Sequence, residues 1–294
     1  MGTEVGSVAE LWRFPVKSMG GERLEEAELT ERGLLGDRGY ALIDVNTGKV
    51  VSAKSTGLFP NVLSCGASFL AAPQLGQELP PVRISFPDGT SVTSDSRHID
   101  GALSSCLERE VTLARVAPDD FTIDQYHPDV ENLDPEGHRD TVVEQKLGSA
   151  LFSAVGLQSP VPEGAFFDLF PVSVMTTSTL TRLRELVPAS TIDPRRFRMN
   201  VIVATEEASF LENDWVGRAL GLGRGRLGVA LPDPRCVLTT LAQDGLSEDT
   251  DVLRALARHN RIQVGDIGQF PCAGVYAVVE ATGPVQTGAT VTVD

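Results

Sequence analysis

The sequence predicts a mostly β, α+β protein built as two domains. An N-terminal β-barrel-like domain is expected over 1–116, a connecting or lid segment over 117–165, and a C-terminal β-barrel domain with inserted helices over 166–294. Three observations carry this reading. Short, partly alternating apolar segments separated by glycine-rich turns fill the first third. From Ala117 to about Pro162 that alternation gives way to crowded Asp, Glu, His and Pro. Beyond Phe166 strand patterns return, now mixed with brief helical periodicity.

Taken in order, Val5–Phe14, Glu25–Leu29, Gly39–Asp44 and Lys49–Ser52 read as strands, with Asn46-Thr47-Gly48 as a turn. Val82–Phe86 and Ser91–Thr93 flank Pro87-Asp88-Gly89-Thr90, a hairpin signal. Asp100–Leu107 reads as a short helix and Glu110–Val116 as the strand after it. The acidic stretch fits a loose linker or an ordered loop over a site. In the second half Val172–Met175 reads as a strand. Ser178–Leu186 reads as a helix with one apolar side made by Thr179, Leu180, Leu183 and Leu186. Asn200–Ala204 is strand-like, Asp249–His259 helical, and Val275–Glu280 and Ala289–Val293 close the chain as strands.

Composition narrows the function classes. The chain has 294 residues, enough for two cores, and is 41% apolar. Forty acidic residues against 25 basic ones give a formal charge of -15. Such a surface repels nucleic acid and anionic membrane, so neither is an expected partner. The chain starts without a basic, then apolar, leader and contains no apolar run of membrane-spanning length. A cytoplasmic protein is therefore expected. Cys65, Cys106, Cys236 and Cys272 match no zinc or disulfide spacing. Three of them read as small buried hydrophobes with reduced thiols. His127 and His138, with Asp124, Asp129, Asp134 and Asp140, make no compact ligand pattern.

Cys236 stands apart, in Asp233-Pro234-Arg235-Cys236-Val237-Leu238-Thr239-Thr240. A thiolate is a good ligand for a soft or thiophilic metal, and Arg235 beside it favours the ionised form. Upstream basic groups, Lys17 in Pro15-Val16-Lys17-Ser18 and Arg38 in Asp37-Arg38, suit an anionic organic carrier for that metal. The glycine-rich run Gly221–Gly228 resembles a nucleotide loop but opens no long helix in a βαβ unit. An anion role for Arg224 or Arg226 stays open. A cysteine or serine hydrolase is disfavoured, because Cys236 has no convincing His–Asp pair.

With these motifs the chain resembles the MOSC superfamily, in its two-domain branch with an N-terminal β-barrel domain. The resemblance rests on Phe14-Pro15-Val16-Lys17-Ser18-Met19, Gly33–Arg38, Arg196-Phe197-Arg198-Met199-Asn200, Trp215-Val216-Gly217, Asp233–Thr240 and Val264-Gly265-Asp266, in that order along the chain. It implies a molybdenum cofactor, with Cys236 as the protein's sulfur ligand to molybdenum. It implies that Lys17, Ser18, Arg38, Arg198, Asn200, Arg235 and Cys236 hold the cofactor. It places a phosphate-facing turn on Thr176, Thr177 and Ser178. Cys236 and Arg235 are the implied catalytic pair. Met199 stands where the family has Pro.

The implied activity is reduction of N–O bonds in small N-hydroxylated substrates such as amidoximes, hydroxylamines or N-hydroxylated bases. No iron–sulfur cysteine pattern accompanies it. Electrons must then come from a separate flavoprotein, ferredoxin or cytochrome. The alternatives are a non-catalytic carrier or chaperone for the cofactor, and a specialised secondary-metabolism enzyme using the same pocket.

Overall fold

The computed structural model describes residues 2–131, 138–266 and 268–294. Seven strands close into a ring. Val172–Thr176 pairs parallel with Val201–Ala204, which pairs antiparallel with the first strand of the chain, Thr3–Arg13. The ring continues through Thr290–Val293, Ala219–Leu222, Gly225–Pro234 and Gln269–Ala281. Gln269–Ala281 then pairs back to Val172–Thr176 and closes the barrel.

Alternation along these strands sorts side chains between two cores. Val174, Val201 and Val203 join Val8, Leu11, Leu220, Leu227 and Val291 in one cluster. Their neighbours Met175 and Ile202 belong instead to a second cluster with Leu180, Leu183, Val252 and Leu256. That cluster seats two helices, Thr177–Leu186 and Asp251–His259, on the barrel. The buried carboxyl of Glu212 ties the closure together. It accepts from Thr176 Oγ1 at 2.6 Å, Thr179 Oγ1 at 2.7 Å and the Gly274 amide at 3.0 Å.

The N-terminal strands make short separate ladders, and among the described residues their pairings do not close a second ring. Ala41–Asp44 pairs with Val111–Ala114, and Val82–Ser85 pairs with both Gly66–Phe69 and Ser91–Thr93. Glu26–Thr30 pairs with Gly283–Gln286, so the end of the chain stitches onto the beginning. Helix Ile99–Leu107 adds Leu103 and Leu107 to a core of Val16, Met19, Tyr40, Leu42, Val82 and Ile84.

Several expectations change in detail. Lys49–Ser52 forms no strand; only Val50 bridges to Ile43. The stretch expected to be irregular contains an antiparallel hairpin, Thr122–His127 with Thr141–Lys146, and then helix Gly148–Ala154. Phe121, Ile123, Leu147 and Phe166 bury that hairpin's base against Ala41 and Val50. Polar residues break the alternation in both strands: Thr122, Gln125 and His127 of the first are buried, while the second is largely exposed. The Gly221–Gly228 run is a tight hairpin between two barrel strands. Leu222 pairs with Gly225, and Gly223 turns the chain at a φ of +61. Arg226 is spent on Glu280 and Asp294.

Candidate active site

The last barrel strand before Cys236, Gly225–Pro234, ends at the seam between the ring and the N-terminal core. The short turn Val237–Thr240 follows, and Leu238 and Leu241 beyond Cys236 pack on the N-terminal core. The fully buried Arg196 pins this stretch. Its guanidinium donates to the carbonyls of Thr239, Leu241 and Ser247. The Cys236 side is thus fixed by hydrogen bonds from a distant turn.

Cys236 is half-buried and opens into a cleft of about 780 Å³, its mouth included. Lys17, Ser18, Arg38, Arg198, Asn200 and Arg235, all expected from the sequence, line the same cleft. So do Lys54, Ser52, Asp168, Asp233 and Tyr276. Five basic side chains therefore face two carboxylates, in a chain of net charge -15. The field inside this cleft opposes the field of the surface around it, and it selects anions.

The motifs meet through Asp37 and Asn200. Asp37 accepts from the Phe14 amide at 2.7 Å, from Asn200 Nδ2 at 2.9 Å and from Arg38. Asn200 Oδ1 accepts from the Ser173 amide at 3.1 Å. Arg38 donates to the Arg198 carbonyl at 3.2 Å, and Arg198 to the Met19 carbonyl at 2.6 Å. Both guanidiniums lie over the Phe14 ring, at 4.7 and 4.3 Å from its centroid. Burial, and then Arg38, push the Arg198 guanidinium down to about 9.

Backbone conformation marks the same place. Among the described residues six non-glycine residues have positive φ. Three of them, Ser18 (67°), Arg38 (47°) and Arg198 (54°), line the cleft. Left-handed backbone at such residues costs about 1 kcal/mol each and persists where surrounding structure imposes it. Here it occurs in three separate stretches of chain whose residues line one space.

Lys17 and Lys54 share Asp168. Lys54 Nζ lies 2.7 Å from Asp168 Oδ2, and Lys17 Nζ contacts Oδ1 and the Phe166 carbonyl. Burial alone drives Asp168 up, but the two ammoniums outweigh it and hold the carboxyl well below its usual range. Burial wins at Lys17 and pushes it down to about 8. At Lys54 burial loses to Asp168, the Cys236 sulfur and Asp233, which raise it. Lys54 is thus a cation in the cleft into which Cys236 opens.

Arg235 is placed differently from its expected role beside the thiol. Its guanidinium donates to the carbonyls of Ala273 at 2.8 Å and Phe197 at 2.9 Å, pairs with Asp233 at 2.7 Å, and reaches the Met199 sulfur. It clamps the strand, and Met199 takes part through its side chain. Asp233 is buried, and that burial, opposed by Arg235, pushes its carboxyl up to about 6.

Thr176, Thr177 and Ser178 do not line the cleft. Thr176 caps its helix through the Thr179 amide at 3.1 Å and binds Glu212. Thr177 and Ser178 spend their hydroxyls on Thr205. A helix start with hydroxyls suits a phosphate only when those groups are free, and here one caps the helix while the other two are held by Thr205.

The acidic-stretch residues disperse into separate pairs. Asp124 binds Lys49, Asp129 binds Arg139, and Asp140 accepts from Tyr126. Asp134 lies outside the described residues. Among the described residues no three His, Cys, Asp or Glu side chains group to hold a metal. Cys65 and Cys106 touch in the N-terminal core with sulfurs 3.8 Å apart, away from this cleft.

Comparison with known proteins agrees with this architecture. Residues 5–97 match the family described as MOSC N-terminal beta barrel domain, and residues 163–292 match the MOSC domain. The chain belongs to the MOSC superfamily, in its two-domain arrangement. It is 23% identical over 296 residues to human mitochondrial amidoxime-reducing component 1, covering 97% of this chain and 82% of that protein. Human mitochondrial amidoxime reducing component 2 is 25% identical over 309 residues, with the same coverage. A solved structure, the YUAD protein from Bacillus subtilis, aligns over 100% of this chain and 98% of its own, with 11% identity and a TM-score of 0.42. A score that low carries no weight for fold or function.

The relatives overturn the cytoplasmic placement expected from the sequence, since their names place them in mitochondria. That expectation rested on missing sorting and spanning signals, and such an absence does not locate a protein. Among the described residues no helix is long and apolar enough to cross a membrane.

Proposed function

We propose that this chain is a molybdenum-cofactor oxidoreductase that reduces the N–O bond of small N-hydroxylated compounds. One observation carries the reading. A half-buried thiol, Cys236, opens into a cleft that five basic side chains line. A pterin dithiolene brings most of its own sulfur donors, so one protein thiolate completes the set. The absence of a three-residue ligand group among the described residues is compatible with that chemistry. A phosphorylated pterin also needs cations and hydrogen-bond donors, which Lys17, Lys54, Arg38 and Arg198 supply. The relatives named for amidoxime reduction support the same substrate class.

When bound, the cofactor supplies two-electron redox chemistry. The chain's residues hold and tune it. Cys236 is the proposed metal ligand. Lys17, Ser18, Arg38, Arg198 and Asn200 are the proposed cradle, joined by Lys54. Arg235 fixes the strand end that presents Cys236 and contributes positive charge. Two electrons and two protons convert an N–OH to an N–H and release water. A separate flavoprotein, ferredoxin or cytochrome is the proposed electron source, and the acidic surface favours a donor with a basic docking face.

Protein made in a host that synthesises the cofactor is expected to reduce benzamidoxime with an artificial electron donor. Loaded, reduced protein that turns over nothing in a broad N-hydroxylated panel would contradict the reading.

A further inference from the structure

Two thiols that the proposed reaction does not use lie against each other in the N-terminal core. Cys65 sits between the short turn Val62–Ser64 and the strand Gly66–Phe69, and Cys106 is the last residue but one of helix Ile99–Leu107. They are 41 residues apart in sequence, yet their sulfurs approach to 3.8 Å. Both are free thiols. Packing alone asks only for small apolar side chains, and either cysteine would serve. Their unequal exposure adds something. Cys65 is 1% exposed, whereas Cys106 is half-buried and packs against the edge of the same core. One sulfur can meet a reagent from solvent while the other waits behind it, which is how an attacking and a resolving thiol are arranged. Burial, and then the Cys106 sulfur, push the Cys65 thiol up to about 12. Cys65 is therefore unreactive by itself, and capping Cys106 removes one of the two causes.

We propose that Cys65 and Cys106 are a reversible oxidative modification site, closed to a disulfide by a low-molecular-weight disulfide such as oxidised glutathione. The Cys106 thiolate attacks one sulfur of that reagent, its S–S bond breaks, and one glutathione thiolate leaves. Cys65 then gives up its proton and attacks the Cys106 sulfur, and the second glutathione leaves. Two protein thiols have lost two electrons and two protons, and the reagent has become two thiols. The sulfurs close from 3.8 Å to about 2.05 Å, a movement of the size a helix end can make. The new bond ties the end of helix Ile99–Leu107 to a stretch that the backbone already joins to the cleft. The Gly20 amide donates to the Cys65 carbonyl at 2.7 Å, and the Ala67 amide to the Gly20 carbonyl at 2.9 Å. Gly20 follows Met19, whose carbonyl accepts from Arg198. The link also restrains a long loop of the unfolded chain, which favours the folded state. None of this depends on a bound cofactor.

The test treats the folded full chain with oxidised glutathione at neutral pH, alkylates it in denaturant and maps the cysteine peptides by mass spectrometry. Peptides carrying Cys65 and Cys106 are expected to be linked to each other and released by dithiothreitol. The oxidised chain is expected to melt at least about 3 °C above the reduced one. Exchange of the Gly20 amide should slow in the oxidised form. Cys65→Ala is expected to stop at a glutathione adduct on Cys106, with no rise in melting temperature. Cys106→Ser should leave the Cys65 thiol unmodified, and Cys106→Ala repeats that reading should the serine variant fail to fold. Several results overturn the proposal: both thiols still free after treatment, an adduct that persists on Cys106 of the unaltered chain, a link from Cys106 to any other cysteine, or a lower melting temperature on oxidation.

Discussion

Two lysines around one carboxylate set the charge of the cleft. Asp168 keeps Lys54 protonated, while burial brings Lys17 down to about 8. The sign of the pH effect follows. Lys17 carries its charge below that value and loses it above, so the cleft of cofactor-free protein attracts anions less strongly as pH rises. Sulfate keeps its own charge over this range, and its affinity, measured by calorimetry from about pH 6 to about pH 10, is expected to fall several-fold across that step. Lys17→Arg should move the step up from about 8 toward the value near 9 to which the buried Arg198 is pushed. Lys17 was legible because it sits in a recognisable Pro-Val-Lys-Ser string. Lys54 and Asp168 were not, since each lies in an undistinguished stretch and their meaning comes from a contact made only on folding. The one hint was scarcity: only four lysines occur, and three fall in the first sixty residues. Arg235 was legible as a site residue, yet its bonding to Phe197 and Ala273 depends on a neighbouring strand that spacing alone does not reveal.

At the scale of elements, barrel closure is the demanding step. Gly274 sits where Gln269–Ala281 meets Val172–Thr176, at a φ of +81. A methyl group there would meet Met199 Cε at 2.2 Å and the Val174 carbonyl at 2.8 Å. Met199 in turn touches Arg235, so the strain would pass toward Cys236. Gly274→Ala is expected to cost at least about 2 kcal/mol in urea unfolding, from backbone strain plus overpacking. An unchanged midpoint and slope would show that the closure is looser than these contacts require. Near-continuous apolar, β-branched runs in Val172–Met175 and Asn200–Ala204 made these strands readable, because one face meets the barrel interior and the other meets helices. The hairpin at Thr122–Lys146 escaped that logic, since its second strand is largely exposed and its residues carry little apolar pattern. Helix Thr177–Leu186 was readable too, but the use of its first hydroxyls was not. Thr176 had two physically reasonable fates, a phosphate or the buried Glu212, and only the fold decides between them.

For the whole molecule, the site exists because distant parts of the chain converge. Thr3–Arg13 opens the sequence but completes the ring of strands that ends at Cys236. The loop after that strand carries Lys17 and Ser18, and it is locked to the ring through Asp37 and Asn200. Sequence motifs could place these residues in one site by resemblance, yet the route by which the first strand joins the last is a property of pairing. The central claim is that Cys236 in this cationic cleft holds molybdenum through a phosphorylated pterin. Its most direct test is the molybdenum and pterin content of purified protein from a cofactor-competent host, with Cys236→Ala and Cys65→Ala beside it. About one molybdenum per chain is expected for the unaltered protein and Cys65→Ala, with at least a tenfold loss for Cys236→Ala. Metal-free unaltered protein from that host, or a Cys236→Ala variant that retains molybdenum in full, would contradict the account.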